Sequence, residues 1–352
     1  MKNFANKDLI STQDIRDEFI SRLDKGNLDY QDSAFAQQLF NCGLTVYSRN
    51  YSFDSAIYQA FSLSVLNKNI SLHPEQLRVL KEIEDNPAVI ISAPTSFGKT
   101  FCIFEYIARK HPKNVVLVVP TVALAKEYQN TIIKHEKDLF KYKIFTSIDE
   151  SKEYDFVNND NLFILTHEKA ITNSSYQKLE RIDFLVIDEV YKLDTRIEGD
   201  RTLLLNVAFY FLTKKAEKYC LLAPFIKNVA NSDKLEKQPK MVSIDYSPVC
   251  NFVKKIDINN SSERFTACLS LIKDSIKNKK TLIYVPNPEG IADFVDKYLI
   301  NEPDIVIDNQ EISNFIDWAE EEIHPDWSLV KALKKGYLVH NGAIPFGIRD
   351  YL

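Results

Sequence analysis

The stretch A-V-I-I-S-A-P-T-S-F-G-K-T-F-C-I-F-E-Y-I-A-R-K, residues 88–110, decides how this chain is read. It opens on a short β-branched apolar run and closes on a helical pattern, with a turn ending in Gly-Lys-Thr between them. A strand that is apolar at every position has to be covered on both faces, as a parallel strand between two helix layers is. The turn from Ala93 to Thr100 matches G-x-x-x-x-G-K-[ST] except that Ala93 replaces the first glycine. In such a loop the backbone N–H groups of Thr95, Ser96, Phe97 and Gly98, together with the positive end of the following helix, can wrap a polyphosphate. Lys99 can neutralise the β- and γ-phosphates, and the Thr100 hydroxyl can hold Mg²⁺. The chain has only eight glycines, where average usage would give about 25, so Gly98 needs a reason, and close approach of backbone to phosphate supplies one.

Working outward, the same grammar recurs. V-V-L-V-V (115–119), L-F-I-L-T (162–166) and F-L-V-I-D (184–188) are apolar runs separated by helix-length segments, which predicts an α/β doubly wound parallel sheet. Ligands of such sheets bind outside the carboxyl ends of the strands. There F-L-V-I-D-E-V-Y delivers Asp188, placed to hold Mg²⁺ opposite Lys99, and Glu189, placed to polarise a water that attacks the γ-phosphate. Pro120 and Thr121 stand at one strand-to-helix junction, where unpaired amides suit a nucleic-acid phosphate, and Thr166 and Lys169 stand at another. Ahead of the loop, L-H-P-E-Q offers Gln76, whose amide can both donate to and accept from an adenine edge.

Composition bounds the rest. The 352 residues are 45% hydrophobic and 26% charged, the mixture of a folded chain and not of a disordered one. The N-terminus has no apolar stretch of signal-peptide length and no run reaches the roughly 20 apolar residues that cross a bilayer, so we expect a cytoplasmic protein without membrane contact. Five cysteines at 42, 102, 220, 250 and 268 form no C-x-x-C pair, which fits a reducing compartment and argues against a zinc site. A net charge of −5 excludes a wholly basic nucleic-acid binder but leaves room for a local basic groove.

Three regions are expected. Residues 1–70 read as helical, starting with Ile15, Phe19 and Leu23 at four-residue spacing between a Thr12 cap and a Gly26 stop. Ala34–Phe40 and Ala56–Leu66 continue in that style. Residues 71–250 form the first α/β domain, and 262–352 open a second one through a helix carrying Phe265, Leu269, Ile272 and Ile276 and a strand T-L-I-Y-V at 281–285. With about 90 residues this second unit is short of the roughly 100–150 typical of a domain, so we expect it to be truncated. Between Asn301 and Trp327 lie nine acidic residues, no Lys or Arg, and both tryptophans. That stretch reads as a solvated acidic face, with a partner-docking surface, there or on the helical N-terminal region, as the alternative.

The order and spacing of these elements resemble superfamily 2 helicases of the DEAD/DExH-box type, in particular their superkiller-like bacterial branch. L-H-P-E-Q is similar to the adenine-reading Q motif, A-P-T-S-F-G-K-T to motif I, P-T-V-A-L-A to motif Ia, and I-L-T-H-E-K to the T-P-E-K element. D-E-V-Y resembles motif II, L-I-Y-V-P-N-P-E-G motif IV, and Y-L-V-H-N-G-A-I-P-F-G-I-R-D-Y-L a segment in which His340, Gly342, Pro345 and Arg349 fall at matching places. The resemblance implies a RecA-like P-loop NTPase sheet, a partial second RecA-like domain, ATP and Mg²⁺ as cofactors, and single-stranded DNA or RNA crossing both domains. It gives Lys99, Asp188 and Glu189 the catalytic roles argued above, Gln76 the adenine, and Thr121, Thr166 and Lys169 the strand's backbone.

Four departures qualify that expectation. Val122 stands where many relatives have arginine, Tyr191 replaces the histidine of D-E-V-H, and L-L-A-P-F (221–225) puts Leu222 and Pro224 in place of the hydroxyls of S-A-T. Nothing after Leu352 supplies motifs V and VI, whose arginines reach the γ-phosphate, so this chain by itself is expected to bind ATP and hydrolyse it poorly. The leading expectation is an ATP-dependent helicase or translocase motor, in a bacterial antiviral-defence or restriction setting; the alternative is a non-motor nucleotide-binding switch or scaffold subunit.

Overall fold

The computed structural model describes residues 12–348 apart from 27–32, 49, 135–140, 150, 173–174, 195–199, 228, 230–231, 246, 248, 251–252, 254, 259, 276–280, 305–307, 343 and 346. The chain divides into two compact units, Met1–Phe252 and Val253–Leu352.

The first unit is built on seven strands: β1 Ala88–Ser92, β2 Asn114–Val119, β3 Lys143–Phe145, β4 Asn161–Thr166, β5 Ile182–Ile187, β6 Ala216–Ala223 and β7 Lys240–Ser243. Their order is β3-β4-β2-β5-β6-β1-β7, and every pairing is parallel. Successive side chains of a strand point to opposite faces, and here both faces are dry. Val89, Ile91, Leu117 and Val186 pack against helices α4 (Pro74–Asp85), α5 (Lys99–Lys110) and α6 (Val122–Lys134) through Ile83, Ile103 and Ile132. Ile90, Val118, Leu185 and Leu221 face the other way, onto Ala170 of α7 (His167–Ile171) and Phe209 and Leu212 of the helix Asp200–Lys215. A short helix α8 (Ser175–Lys178) precedes β5, and Asp200–Lys215 is α9. The α/β doubly wound parallel sheet read from the four apolar runs is the fold of this unit.

Three strands escaped the sequence reading. β3 and β7 are short edge strands of three and four residues. β6 opens with the charged residues Glu217 and Lys218; the Lys218 ammonium leaves the sheet to cap α4, donating to the carbonyls of Ile83, Glu84 and Asn86.

The N-terminal helices α1 (Thr12–Asp24), α2 (Ser33–Asn41) and α3 (Phe53–Ser62) belong to the same unit. Gly26 adopts a left-handed φ of 68° where α1 stops. The buried face of α1 is rotated from the expected one: Ile15 is 41% exposed, while Ile20 and Leu23 are buried with Phe35 and Leu39. Residues four apart drift around a 3.6-residue helix, so Ile20 replaces Ile15 on the core side. The third helix ends at Ser62 and not at Leu66, because Leu63 bridges Ser71 and the turn between them folds onto α5. There the fully buried Glu105 accepts hydrogen bonds from Ser64 Oγ at 2.7 Å and from the backbone N–H of Val65 at 2.9 Å, and pairs with Arg109 at 2.7 Å. Gln13 and Ser247 exchange reciprocal hydrogen bonds that tie α1 to the chain after β7.

In the second unit the described elements are α10 (Ser261–Ser275), α11 (Pro288–Lys297), α12 (Gln310–Glu322) and α13 (Ser328–Lys334), with two apolar clusters around Phe294 and Leu299 and around Phe315 and Leu333. The expected strand at 281–285 is not formed, and no strand occurs among the described residues of this unit. A parallel strand exists only through its ladder partners. The alternation survives without them: Ile283 packs on the Phe294 cluster, while Leu282 is 98% and Tyr284 85% exposed. His340, Gly342 and Pro345 lie beyond α13 outside helix and strand, and Ile276 and Arg349 lie outside the described residues. Within the acidic stretch, Glu302 pairs with Lys273, Asp304 with Lys335, Glu320 with Lys334 and Asp326 with Lys331. Much of its charge is therefore neutralised locally.

Replacing Glu105 by alanine leaves the Ser64 hydroxyl, the Val65 N–H and the Arg109 guanidinium without their acceptor, at an expected cost of about 2–4 kcal/mol. Urea unfolding with an unchanged m-value measures it; a loss below about 1 kcal/mol would show that the contact is dispensable.

Candidate active site

Three neighbouring strands, β5, β6 and β1, end side by side. With strands spaced about 4.8 Å apart, the segments after β1 and β5 start roughly 10 Å from each other. They enclose a cavity of about 470 Å³ lined by Thr95, Gly98, Lys99, Thr100, Asp188 and Glu189, with Pro224 after β6 and Phe101, Phe104, Glu127 and Thr131 from α5 and α6.

The loop after β1 makes one 3₁₀ turn over Thr95–Phe97 and then needs a left-handed residue, which Gly98 supplies with φ 84°. A Cβ at Gly98 would also come within 3.1 Å of Gln76 Nε2. From there α5 begins at Lys99, so its amino end faces the cavity. The Lys99 ammonium donates to the carbonyl oxygens of Ala93 at 2.8 Å and Pro94 at 3.0 Å, spanning the loop from inside. Burial pulls its pKa below the ordinary lysine value, opposed by the negative charges of Asp188 and Glu189.

Asp188 follows β5 directly and is buried. Its backbone N–H still donates to Val118 O at 2.8 Å, its Oδ1 accepts from Glu189 N–H at 2.8 Å, and its Oδ2 accepts from the Tyr128 hydroxyl at 3.1 Å. Burial raises the Asp188 pKa above the carboxylate norm, while these hydrogen bonds and Lys99 act against the rise. Glu189 has a φ of 52°, uncommon for a residue with a Cβ and costing of order 1–3 kcal/mol. Its carboxylate pairs with Lys192 at 3.1 Å and engages the Tyr191 hydroxyl. Burial and that carboxylate push the Tyr191 pKa up to about 12.

The other expected site residues divide. Phe97 points into the core and Ser96 lies exposed beside Ser247, so neither side chain lines the cavity. Gln76 lies beneath the loop with its amide committed inward: Nε2 donates to Phe97 O at 3.0 Å, and Oε1 accepts from His73 N–H at 3.0 Å. It braces the loop and is not part of the cavity wall. Thr121 Oγ1 accepts from Leu124 N–H at the start of α6, next to Pro120 and to Val122, which is 70% exposed. Thr166 is buried and caps α7 by accepting from Lys169 N–H at 3.3 Å, and the Lys169 ammonium donates to Thr146 O at 2.7 Å. These four residues stand at the same carboxyl edge of the sheet as the cavity but outside its wall. Reading motifs also missed Tyr128, Glu127 and Thr131, all on α6. Only the apolar-face spacing of Tyr128 and Ile132, four apart, marked that helix as packed on the sheet.

The donor set is oxygen only: the hydroxyl of Thr100 and the carboxylates of Asp188 and Glu189 around one cavity. No cluster of three or more His, Cys, Asp or Glu that would cage a metal occurs among the described residues. One or two carboxylates, completed by oxygens of a bound phosphate, is how Mg²⁺ is commonly held, whereas softer metals favour nitrogen or sulfur. The loop amides, the amino end of α5 and Lys99 make the opposite side a receptor for an anion.

Comparison with known proteins agrees with this geometry. Residues 73–222 match the DEAD/DEAH box helicase family. Over 288 residues the chain is 28% identical to Anti-bacteriophage protein B of Escherichia coli (strain K12), covering 79% of this chain and 38% of that protein. Over 151 residues it is 25% identical to the ATP-dependent DNA helicase Hel308 of Thermoplasma acidophilum, covering 42% of this chain and 22% of that one. The chain thus spans well under half the length of either relative. Among solved structures, the Sulfolobus solfataricus SWI2/SNF2 ATPase core in complex with dsDNA aligns at 13% identity and a TM-score of 0.34, covering 44% of this chain and 32% of that one. With loop, paired carboxylates and family match coinciding, residues 73–222 are a helicase-type ATPase domain of superfamily 2, of the DEAD/DEAH-box kind.

Proposed function

We propose that this chain is the motor portion of an ATP-dependent nucleic-acid helicase or translocase. The observation that carries the reading is the single cavity at the ends of β5, β6 and β1, into which Lys99, Thr100, Asp188 and Glu189 converge. In it Lys99 and the loop amides would bind the phosphates of ATP, Thr100 and Asp188 would hold Mg²⁺, and Glu189 would take a proton from the attacking water. When bound, Mg²⁺ would supply neutralisation of the phosphates' negative charge. Lys99 exchanges its two loop carbonyls for phosphate oxygens, so its ammonium stays satisfied in both states. Lys192 and Tyr191 hold the Glu189 carboxylate over the cavity rim.

The partner is a single strand of DNA or RNA laid along the carboxyl edge of the sheet, where Pro120, Thr121 and Lys169 are accessible and Thr166 fixes the turn that carries Lys169. The match to a protein named for anti-bacteriophage action supports a bacterial antiviral-defence setting, and the cytoplasm is the compartment we propose for it. In domain terms we assign 1–70 as a helical region, 71–250 as the first RecA-like domain and 262–352 as the start of a second. A second reading, a nucleotide-binding switch or scaffold, draws on Pro224: it lines the cavity where the family resemblance places a hydroxyl, so the segment after β6 brings no hydrogen-bonding side chain into the cavity wall to report hydrolysis.

Strand-stimulated ATPase measurements test the motor reading; nucleotide binding with no stimulation by any single strand would favour the switch. Lys99→Ala should weaken MgATP binding about tenfold to a hundredfold while leaving far-ultraviolet circular dichroism unchanged, and loss of the fold would instead mark a structural lysine. Lys169→Ala should reduce the slope of log affinity against log salt by up to about one unit in strand titrations; an unchanged slope removes it from the path.

The raised pKa of Asp188 gives a pH signature. The folded protein holds this proton more tightly than the unfolded chain, so the stability gained is present in acid and lost as pH rises through the folded value. Ligand-free Asp188→Asn should therefore melt above the parent at neutral and alkaline pH, with the gap closing on acidification. An equal gap at every pH would assign the effect to packing.

A further inference from the structure

Tyr128 is a buried side chain whose hydroxyl bonds to both expected metal-site residues. Its ring is 1% exposed, packed edge-on against Phe104 with centroids 5.1 Å apart, and its hydroxyl lies 3.1 Å from Thr100 Oγ1 and 3.1 Å from Asp188 Oδ2. The direction of the two hydrogen bonds follows from their chemistry. An ionised carboxylate only accepts, so the phenol proton is donated to Asp188. The phenol oxygen then has only lone pairs left for its other neighbour, and Thr100 must be the donor. With its single proton spent on Tyr128, the Thr100 hydroxyl has only lone pairs left to present elsewhere, and Thr100 lines the cavity. A cation needs those lone pairs.

We propose that Tyr128 is a positioning residue for the divalent cation: the relay Thr100 to Tyr128 to Asp188 locks the Thr100 hydroxyl as an acceptor toward the metal and fixes the rotamer of the carboxylate that shares it. The phenol need not touch the cation or nucleotide; it acts through the two groups that do. This inference rests on the MgATP reading of the cavity, and it adds a member that sits on α6, seven residues after Thr121. Removing the hydroxyl frees the Thr100 rotor to turn its proton toward the cation and strips one hydrogen bond from a buried carboxylate, while the ring and its packing stay.

The test uses the full chain and a fluorescent ATP analogue, titrated in EDTA and across a Mg²⁺ series, for the parent and Tyr128→Phe. The expected result is near-equal affinity in EDTA, within about twofold, and a half-saturating Mg²⁺ concentration raised about tenfold, the effect of losing one hydrogen bond to a charged group. An unchanged Mg²⁺ dependence overturns the inference, as does an equal loss of affinity with and without Mg²⁺, which marks a structural tyrosine. A parent chain whose nucleotide affinity ignores Mg²⁺ defeats the underlying reading itself. A double-mutant cycle with Asp188→Asn provides a second measurement: the Tyr128→Phe effect on Mg²⁺ affinity should largely vanish in that background, and full additivity would overturn the proposal.

Discussion

Parallel hydrogen bonding between β5, β6 and β1 is the constraint on which the site depends. It sets the lateral spacing of three chain segments that have little else in common, and it does so with main-chain groups, whose positions do not vary with side-chain identity. Because both faces of the sheet are buried under helices, the strands can neither tilt nor slide without exposing apolar surface. Lys99 and Asp188, 89 positions apart in the chain, owe their proximity to this ladder. Burial then disfavours the charged form of both side chains, lowering the Lys99 pKa and raising that of Asp188, and each charge offsets part of the other's penalty.

Support reaches the loop from behind as well. Gln76 links α4 to the loop carbonyl of Phe97, and Glu105, one helical side away on α5, anchors the turn that leads from α3 into α4. The turn after α3 is thus held to α5 through Glu105, the loop is held to α4 through Gln76, and α1 is itself tied to residue 247.

What could be read in the sequence was whatever one segment specifies alone. β1, β2, β4 and β5 are apolar at nearly every position, and the Gly98 turn has a backbone demand that few residues satisfy. The rest needed partners distant in the chain. β6 hid behind Lys218, whose charge caps a helix through a carbonyl 135 residues earlier, and 281–285 has the alternation of a strand without the neighbours that make one. The same holds within the site. Lys99, Thr100, Asp188 and Glu189 follow from motif chemistry. By contrast, a glutamine suited to adenine turns out to brace the loop, and a tyrosine inside an unremarked helix touches both halves of the cavity.

The left-handed backbone at Glu189 sets function against durability. A glycine there would relieve the strained dihedral and settle the strand end, yet it would delete the carboxylate that the proposed chemistry uses. Any laboratory evolution that rewards heat tolerance alone has a downhill route through this codon toward a sturdier, inert protein. Holding the acidic residue in place against that gradient takes continued demand for turnover.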